Sequence, residues 1–570
     1  MSKVGKAVAM FAALAWMAAG PSPAEGQQTS LGAVNFPTTG KPEAQSHFLR
    51  GVAALHSFWY EEALEEFRAA TQADPEFAMG YWGEAMAYNH ALWDEQNVEA
   101  ARGALAKIQD VSRITPREQA YVEAVRALYG PGDKHARNLA YSAAMETVYR
   151  QYPQDEEAAC FYALSLLGLW RPGEKGFRNQ MQAAAIVLDV FQRSPNHPGA
   201  AHYIIHSFDD PEHAVLALPA ARRYADIAPE AHHARHMPSH IFVQLGMWPE
   251  AAASNESSWA ASVAWVERKE LDVERRDFHS LHWLLYVYSQ QGRYAKAEEL
   301  LRLRQNLTES GAGSSSAGWD YASMRGRYTA EMAAALVVET EQWQRAREFF
   351  PSASIAGPGR AESGGGAHQH GATATSRAAD LSARQQMLAA FIPGLAAART
   401  GSAEALRAVE ALSKLRAGLA AAGEPYRAKM AEIAELEVQA SYEAAKGNLK
   451  TALAAVERAT RLEEELSAPS GPPDLIKPSH ELYGEILLGA GQPKEAAAQF
   501  RTALLRQPNR ARALLGAARS AEKSGDHAAA SKAYAKLVQI WESSDAQLAE
   551  LREARDYLRQ HNARAASSSK

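Results

Sequence analysis

The chain repeats a short pattern of small residues, aromatic residues and a terminating proline. Its first copy places Gly51, Tyr60, Ala63, Phe67 and Pro75 in order. In such a unit the small residues let two helices approach closely, the aromatic rings fill the space between them, and the proline ends the second helix. Repetition of this unit constrains the fold most strongly, because each copy must bury its apolar face against the next.

The same order of residues recurs along the chain. Later copies place a glycine, a marker residue and an alanine at Gly246, Trp248 and Ala251, at Gly292, Tyr294 and Ala297, at Gly491, Pro493 and Ala496, and at Gly525, His527 and Ala530. The last two of these glycines are 34 residues apart. The pattern resembles the tetratricopeptide repeat, a helix–turn–helix unit of about 34 residues. The resemblance implies an all-α fold, an α-solenoid of tetratricopeptide (helix-turn-helix) repeats.

Composition divides the chain into six segments. A stretch rich in Gly, Ser and Ala without helical periodicity is typical of a flexible loop, and the small polar residues at the end predict a disordered tail. The predicted segments are a signal peptide (1–24), an N-terminal linker (25–43), a repeat solenoid with a histidine-rich groove (44–350), the flexible loop (351–378), a second repeat solenoid (379–560) and the tail (561–570).

The first residues have the layout of a secretory signal. Lys3 and Lys6 precede an apolar run of about a dozen residues, which is too short to span a bilayer comfortably, and small residues and prolines follow up to Ala24. We therefore expect an exported, bacterial-type protein, periplasmic or secreted, without a membrane span. Cys160 is the only cysteine, which excludes an intrachain disulfide and a thiolate zinc site.

Net charge argues against one class of partner. The chain has 60 Lys and Arg against 66 Asp and Glu, a formal net charge of −6, and both signs are mixed along it. A nucleic-acid-binding surface usually needs a basic stripe, so no nucleic-acid partner is expected. An unknown protein or peptide, or a small-molecule substrate, is the expected partner.

Histidine is concentrated in one part of the chain. Ten of the 19 histidines fall between His197 and His282. Within this window the histidines form pairs three or four residues apart, and such pairs share one face of a helix, where two imidazoles can bind the same metal ion. The pairs are His202 with His206, His236 with His240, and His279 with His282. The first two pairs are offset by 34 residues, so they occupy equivalent positions in adjacent repeats.

The resemblance to tetratricopeptide proteins implies that these six histidines point into one concave groove, with Asp209 and Asp210 nearby. All six are predicted metal ligands, and the two aspartates are candidate catalytic or orienting residues. Imidazole suits several transition metals, and a thiolate-free shell in an oxidising compartment favours zinc or copper over iron. One or two ions are possible, including a dinuclear centre.

Several alternatives remain open on sequence alone. The protein is either a metal-dependent protein, and possibly an enzyme, or an exported scaffold that binds a peptide in the groove without metal; metal storage or delivery is a third possibility. Weaker ligand candidates are His197, His213, His232 and His233. His56 and His90 are expected to make local hydrogen bonds.

The predicted signal peptide can be tested by expressing the whole chain in a Gram-negative host. We expect the periplasmic fraction to contain a chain that begins after Ala24, as read by intact-mass spectrometry. Leu14→Arg interrupts the apolar run and should leave the full-length chain in the cytosol. A wild-type chain that keeps residues 1–24 would contradict the prediction.

Overall fold

A computed structural model describes residues 27–93, 95–171, 174, 176–307, 321–351, 372–545 and 547–568. Helices make up 74% of the structure, so the predicted all-α fold is confirmed. The predicted signal peptide, 1–24, lies outside the described residues, as do 352–371 of the predicted loop. No helix among the described residues combines the length and the apolarity needed to cross a membrane.

The first half of the array contains the histidine-rich segment. Its helices are α1 (Pro42–His56), α2 (Tyr60–Ala73), α3 (Ala78–Ala87), α4 (Val98–Leu105), α5 (Pro116–Leu128), α6 (Lys134–Gln151), α7 (Glu156–Leu167), α8 (Arg178–Arg193), α9 (Pro198–Ser207), α10 (Ala214–Ile227), α11 (His232–His236), α12 (Pro238–Gln244), α13 (Trp248–Arg268), α14 (Phe278–Gln290), α15 (Tyr294–Asn306) and α16 (Tyr321–Thr340).

The second half continues the array. Its helices are α17 (Ala346–Phe349), α18 (Ala372–Ala398), α19 (Glu404–Ala421), α20 (Pro425–Ala445), α21 (Leu449–Glu464), α22 (Ser479–Gly489), α23 (Pro493–Arg506), α24 (Ala511–Lys523), α25 (His527–Ile540) and α26 (Ala549–Ser568). Two short antiparallel hairpins join β1 (Gln27–Thr29) to β2 (Gly32–Val34) and β3 (Asn89–His90) to β4 (Glu95–Gln96). Single 3-10 turns cover Val111–Arg113, Val273–Arg275 and Trp343–Arg345.

Helices pack as the repeat pattern predicts. Along most of the array each helix contacts the next one, and α1 contacts α3, α20 contacts α22, and α22 contacts α24. Phe67 of α2 occupies the space that small residues leave, since a Cβ atom on Gly51 or Gly83 would come within 2.7 or 2.3 Å of its ring. Stacking of helix pairs with contacts between their first helices is the packing of a helical solenoid.

Three predicted segments differ from the structure. Helix α18 begins at Ala372, so the last seven residues of the predicted loop, 351–378, are helical. The tail predicted as disordered, 561–570, continues α26 as far as Ser568. The predicted linker, 25–43, contains β1, β2 and the start of α1. Pairing of short segments depends on partners elsewhere in the fold, which composition alone does not reveal.

The C-terminal repeats fold back against the middle of the array. Trp248 Nε1 donates a hydrogen bond to the backbone oxygen of Asn509 at 3.0 Å. Gly246, in the turn before α13, has φ of +61°, and a Cβ atom there would lie 2.5 Å from the backbone oxygen of Pro508. Trp541 Nε1 donates to the backbone oxygen of Gln290 at 3.0 Å. The array is therefore closed by contacts between repeats that are far apart in sequence.

Buried ion pairs connect the same two parts of the chain. Arg510 is fully buried and contacts Glu481 at 2.7 Å and Glu339 at 2.8 Å. Lys477 contacts Glu481 at 2.7 Å. Burial alone would raise the pKa of Glu481, but Arg510 and Lys477 lower it to about 2. Loss of Glu481 would leave Arg510 with Glu339 alone and Lys477 with Glu485 alone, so the interior would hold two cations that had each lost one of two carboxylates.

We expect Glu481→Gln to lower the free energy of unfolding by about 3–5 kcal/mol, because Arg510 and Lys477 lose their shared carboxylate. The folded-state pKa of Glu481 is depressed, so its contribution is present above the unfolded value of about 4.3 and is lost as pH falls towards 2. Urea denaturation at pH 7 and pH 4 measures both effects. Glu410→Gln, at an exposed pair with Lys414, is the control and should change neither; equal behaviour of the two variants would contradict the prediction.

Candidate metal centre

Four helices of adjacent repeats bring six imidazoles together. The ligand atoms within each of two three-histidine groups all lie within 4.8 Å of one another. The first histidine group is His202 and His206 of α9 with His233 of α11; the second histidine group is His236 of α11, His240 of α12 and His279 of α14. Ring centroids of His206 and His240, one from each group, are 5.8 Å apart, so the two groups are neighbours.

The first histidine group is anchored by a backbone carbonyl. His202 Nδ1 donates to the backbone oxygen of His56 at 2.7 Å, so its Nε2 atom carries a lone pair. That Nε2 atom lies 3.1 Å from His206 Nε2. His233 Nε2 is buried and has no hydrogen-bond partner among the described residues. His202 Nε2 can accept a hydrogen bond from His206 Nε2, so the nitrogen of this group without a partner among the described residues is His233 Nε2.

The second histidine group is anchored by two side-chain acceptors. His240 Nδ1 donates to Asp209 Oδ2 at 2.6 Å, and His236 Nδ1 donates to Asn255 Oδ1 at 2.7 Å. The Asn255 amide is oriented by its own donation to the backbone oxygen of Ala251 at 2.8 Å. With both protons on Nδ1, the Nε2 lone pairs of His236 and His240 face each other at 3.1 Å.

Two facing lone pairs repel each other unless a cation lies between them. In a tetrahedral zinc site with Zn–N distances of 2.0–2.1 Å, two ligand nitrogens are about 3.3–3.4 Å apart. The Nε2 atoms of His236 and His240 are separated by a similar distance, 3.1 Å. Burial lowers the pKa of His240 to about 3 and, together with His240, lowers that of His236 to about 4. Both rings are therefore neutral at physiological pH, which is the form that binds metals.

A third group has the opposite proton arrangement. In the His–Glu–His cluster (His56, Glu157 and His197), His197 Nδ1 accepts from the backbone N–H of Ala200 at 3.2 Å, and His56 Nδ1 pairs with the Tyr203 hydroxyl at 2.9 Å. The Nε2 protons then point at the Glu157 carboxylate, at 2.6 and 3.2 Å. Each Nε2 atom already has an acceptor for its proton, so the cluster needs no metal.

The two predicted carboxylates hold neighbouring groups in place. Asp209 orients His240 and accepts from Gln244 Nε2 at 3.2 Å, while burial raises its pKa to about 7. A cation on His240 would favour its ionised form. Asp210 accepts from the backbone N–H groups of Glu212 and His213 in a turn. Each carboxylate therefore orients an imidazole: Asp209 contacts His240, and Asp210 contacts His213, whose Nδ1 atom lies 2.9 Å from Asp210 Oδ1.

Five of the six predicted ligands belong to the two groups, and His282 does not. His282 lies on α14 near Tyr328, with ring centroids 5.7 Å apart, and its pKa is lowered to about 4, mainly by burial. His233 takes the remaining position. The sequence marked His233 only as a weaker candidate, because its neighbours His202 and His206 lie on α9 and spacing along one helix does not report a contact with another.

Aromatic side chains cover the histidine rings, whereas the repeat resemblance implied an open groove. His202 and His236 are fully buried. Phe58, which has φ of +52°, lies over the first histidine group with its ring centroid 4.3 Å from that of His202. Trp283 lies over the second histidine group, 4.3 Å from His240, and Gly471 packs against that indole. Aromatic residues from the α1–α2 turn and from α14 therefore close the groove.

One cavity reaches both histidine groups. The aromatic cavity has a volume of about 250 Å³ and is bounded by the start of α2, by α11 and by the segment from the end of α13 to α14. His233 and His279, one from each group, form part of its wall together with Trp59, Trp93 and Trp265. His279 is only half-buried. A small molecule in this cavity would contact both groups.

Comparisons with known proteins do not assign the chain to a family. No family model matches it, and no curated protein matches it. A solved structure of a human IFIT1 dimer with m7Gppp-AAAA has a TM-score of 0.36 and 13% identity, over 88% of this chain and 90% of that chain. Yeast Tom70 has a TM-score of 0.31 and 12% identity, over 91% of this chain and 96% of that chain. At such low TM-scores the likeness carries no argument about ligand or partner.

The proton positions can be measured by ¹H–¹⁵N NMR of metal-free protein labelled at histidine. At pH 8 we expect His236 and His240 as the Nδ1–H tautomer and His56 as the Nε2–H tautomer, because burial lowers the pKa of His56 and its Nε2 atom faces Glu157. At pH 5.5 His236 and His240 should remain neutral, since their folded pKa values of about 4 and 3 lie below that pH. Single His→Gln variants assign the signals. Nε2–H signals from His236 and His240 at pH 8 would contradict the arrangement.

Proposed function

We propose that the protein is a metal-binding helical-repeat protein, with one transition-metal ion in each of the two histidine groups, and that it acts as a metal-dependent enzyme on a small molecule. The observation that carries the proposal is the pair of Nε2 lone pairs on His236 and His240. Both point at one place while acceptors hold both Nδ1 protons. Orientation of a ligand imidazole by a carboxylate or an amide is the usual support of a protein metal site.

Burial strengthens the proposal. Interior polar atoms without a partner are costly, and the first histidine group contains such an atom on His233. Hydrophobic side chains of similar size would pack here at lower cost if packing were the only role. Six neutral imidazoles in contact across neighbouring repeats are instead suited to bind cations.

The ligand set favours zinc or copper over iron. Imidazole nitrogen binds both of these metals well, and no thiolate lies in either group. Three neutral ligands leave the charge of a dication uncompensated and at least one coordination position open. An open position beside a cavity allows a metal to polarise a substrate or to activate water, so the proposal includes catalysis.

A non-metal scaffold is the second candidate. Helical solenoids commonly serve as binding surfaces, and the groove of such a fold is a natural place for a peptide. Here a peptide would have to displace Phe58 and Trp283 before it reached His202 or His236.

We also propose that the protein is exported, on the basis of its N-terminal residues. In the periplasm the metal site would meet zinc or copper.

Elemental analysis of tag-free protein tests the proposal. We expect about two equivalents of zinc or copper, since each group offers three nitrogen ligands. The double variants His202→Ala with His206→Ala and His236→Ala with His240→Ala should each retain about one equivalent, because only one group is removed. His282→Ala is the matched control and should retain both, since His282 lies outside the groups.

Three results would count against the metal proposal or against its assignment of ligands. Absence of stoichiometric zinc, copper, iron, manganese or nickel, with no uptake on titration, would falsify the metal proposal. Equal metal loss in His282→Ala and in His233→Ala would place the ligands differently from the two groups. Capture of a peptide that depends on His202 and His236 in metal-free protein would favour the scaffold.

Asp209→Asn tests the orienting contact. We expect a loss of about 10–100-fold in the affinity of the second histidine group, because the carboxylate that holds His240 is removed. Competition with a chromophoric chelator measures this affinity. Asp210→Asn is the control, since its side chain caps a turn and does not contact His240. Equal effects of the two substitutions would contradict the assignment.

A further inference from the structure

Three N–H donors on the wall of the aromatic cavity have no acceptor among the described residues. They are Trp59 Nε1, Trp265 Nε1 and Arg276 Nε. Trp59 and Trp265 are each 3% exposed, so water has little access to them. A buried donor that is left unpaired destabilises the folded protein, because it has lost its hydrogen bonds to water. Three such donors around one cavity indicate a ligand that carries hydrogen-bond acceptors.

The charge of the cavity wall has the matching sign. Two of the three acidic side chains on the wall have cationic partners: Glu61 contacts Arg275 at 3.3 Å, and Glu274 contacts Arg304 at 3.1 Å. The third, Asp277, accepts hydrogen bonds from the Ser258 hydroxyl and from the backbone N–H of Ser280. Arg276 has a weaker partner, since its guanidinium lies 3.6 Å from Glu267, whose side chain is 66% exposed. With Arg327 included, the wall carries four guanidinium groups against three carboxylates, which is a formal excess of one positive charge.

The remaining wall is aromatic. The rings of Trp59 and Trp265 meet edge to face at 5.7 Å, and Trp93 and His233 meet the same way at 5.6 Å. Flat apolar groups pack well in such surroundings, where indole rings offer both faces and edges. A ligand that fits this wall has a ring-shaped apolar body in addition to its acceptors.

We propose that the aromatic cavity binds a small organic oxyanion with a ring-shaped apolar body, and that this is the substrate class of the metal centre. The assignment as a substrate rests on the proposed function, because the cavity reaches the two histidine groups through His233 and His279. The indole N–H groups of Trp59 and Trp265 and the guanidinium of Arg276 bind the oxygens of the anion. A metal dication with neutral ligands adds further attraction for the same charge.

Calorimetric titration with phenylacetate tests the inference, with the full chain in metal-free and zinc-loaded forms. We expect saturable binding to both forms and tighter binding to the zinc-loaded form. Phenylacetamide, which lacks the charge, and benzyltrimethylammonium, which reverses it, should bind at least about tenfold more weakly, because neither offers the ionised acceptor that strengthens a hydrogen bond. Phenyl phosphate distinguishes a phosphate head from a carboxylate.

Variants locate the binding. Trp265→Phe keeps the ring and removes the donor, and Arg276→Gln removes the charge; each should weaken phenylacetate by about tenfold or more. Trp343→Phe is the matched control, because this indole N–H also lacks a partner among the described residues but lies outside the cavity. Its affinity for phenylacetate should equal that of the wild type, and circular dichroism confirms that each variant is folded.

The outcomes separate the two proposals. Binding of phenylacetate that Trp265→Phe and Arg276→Gln weaken supports this inference even if the protein takes up no metal, in which case only the proposed function fails. Metal uptake without phenylacetate or phenyl phosphate binding in either form overturns this inference alone. Tighter binding of benzyltrimethylammonium, or equal binding of phenylacetamide, also overturns it.

Discussion

The histidine-rich part of the molecule depends on hydrogen bonds that hold the proton of three imidazoles on the Nδ1 atom. His240 donates to Asp209, His236 to Asn255, and His202 to the carbonyl of His56. These acceptors come from three different places, the turn after α9, helix α13 and the end of α1. Stacking of the repeats therefore sets the tautomers, and the tautomers leave the Nε2 atoms available. The His–Glu–His cluster shows that the same fold also produces the reverse arrangement a few residues away.

Much of the architecture could be predicted because repeat packing is local. The order of Gly51 and Phe67 describes a contact between consecutive helices, and the structure contains that contact. Prediction was weaker where one segment depends on a distant one. The return of the C-terminal repeats to Gly246, and the helical residues that follow Ala372, rest on contacts or on local propensities that a repeat pattern does not encode.

The candidate site, too, could be predicted from the sequence only in part. Five ligand candidates followed from helical spacing and the 34-residue offset, since equivalent positions of adjacent repeats face the same side. His282 lies outside the two histidine groups, beside Tyr328 of α16, a relation between helices that spacing along one helix does not report. Phe58 covers the groove through a left-handed backbone conformation that is rare for a bulky residue, so its position was not predictable from sequence.

Closure of the array at Gly246 and Asn509 has a consequence for how this chain can vary. Open repeat arrays lengthen or shorten by duplication or loss of a unit, because each unit contacts only its neighbours. Here one additional unit between α13 and α23 would carry Asn509 away from Gly246 and separate Trp248 from its backbone acceptor. The number of repeats in this part of the protein is therefore set by geometry, and variation is confined to turns and termini.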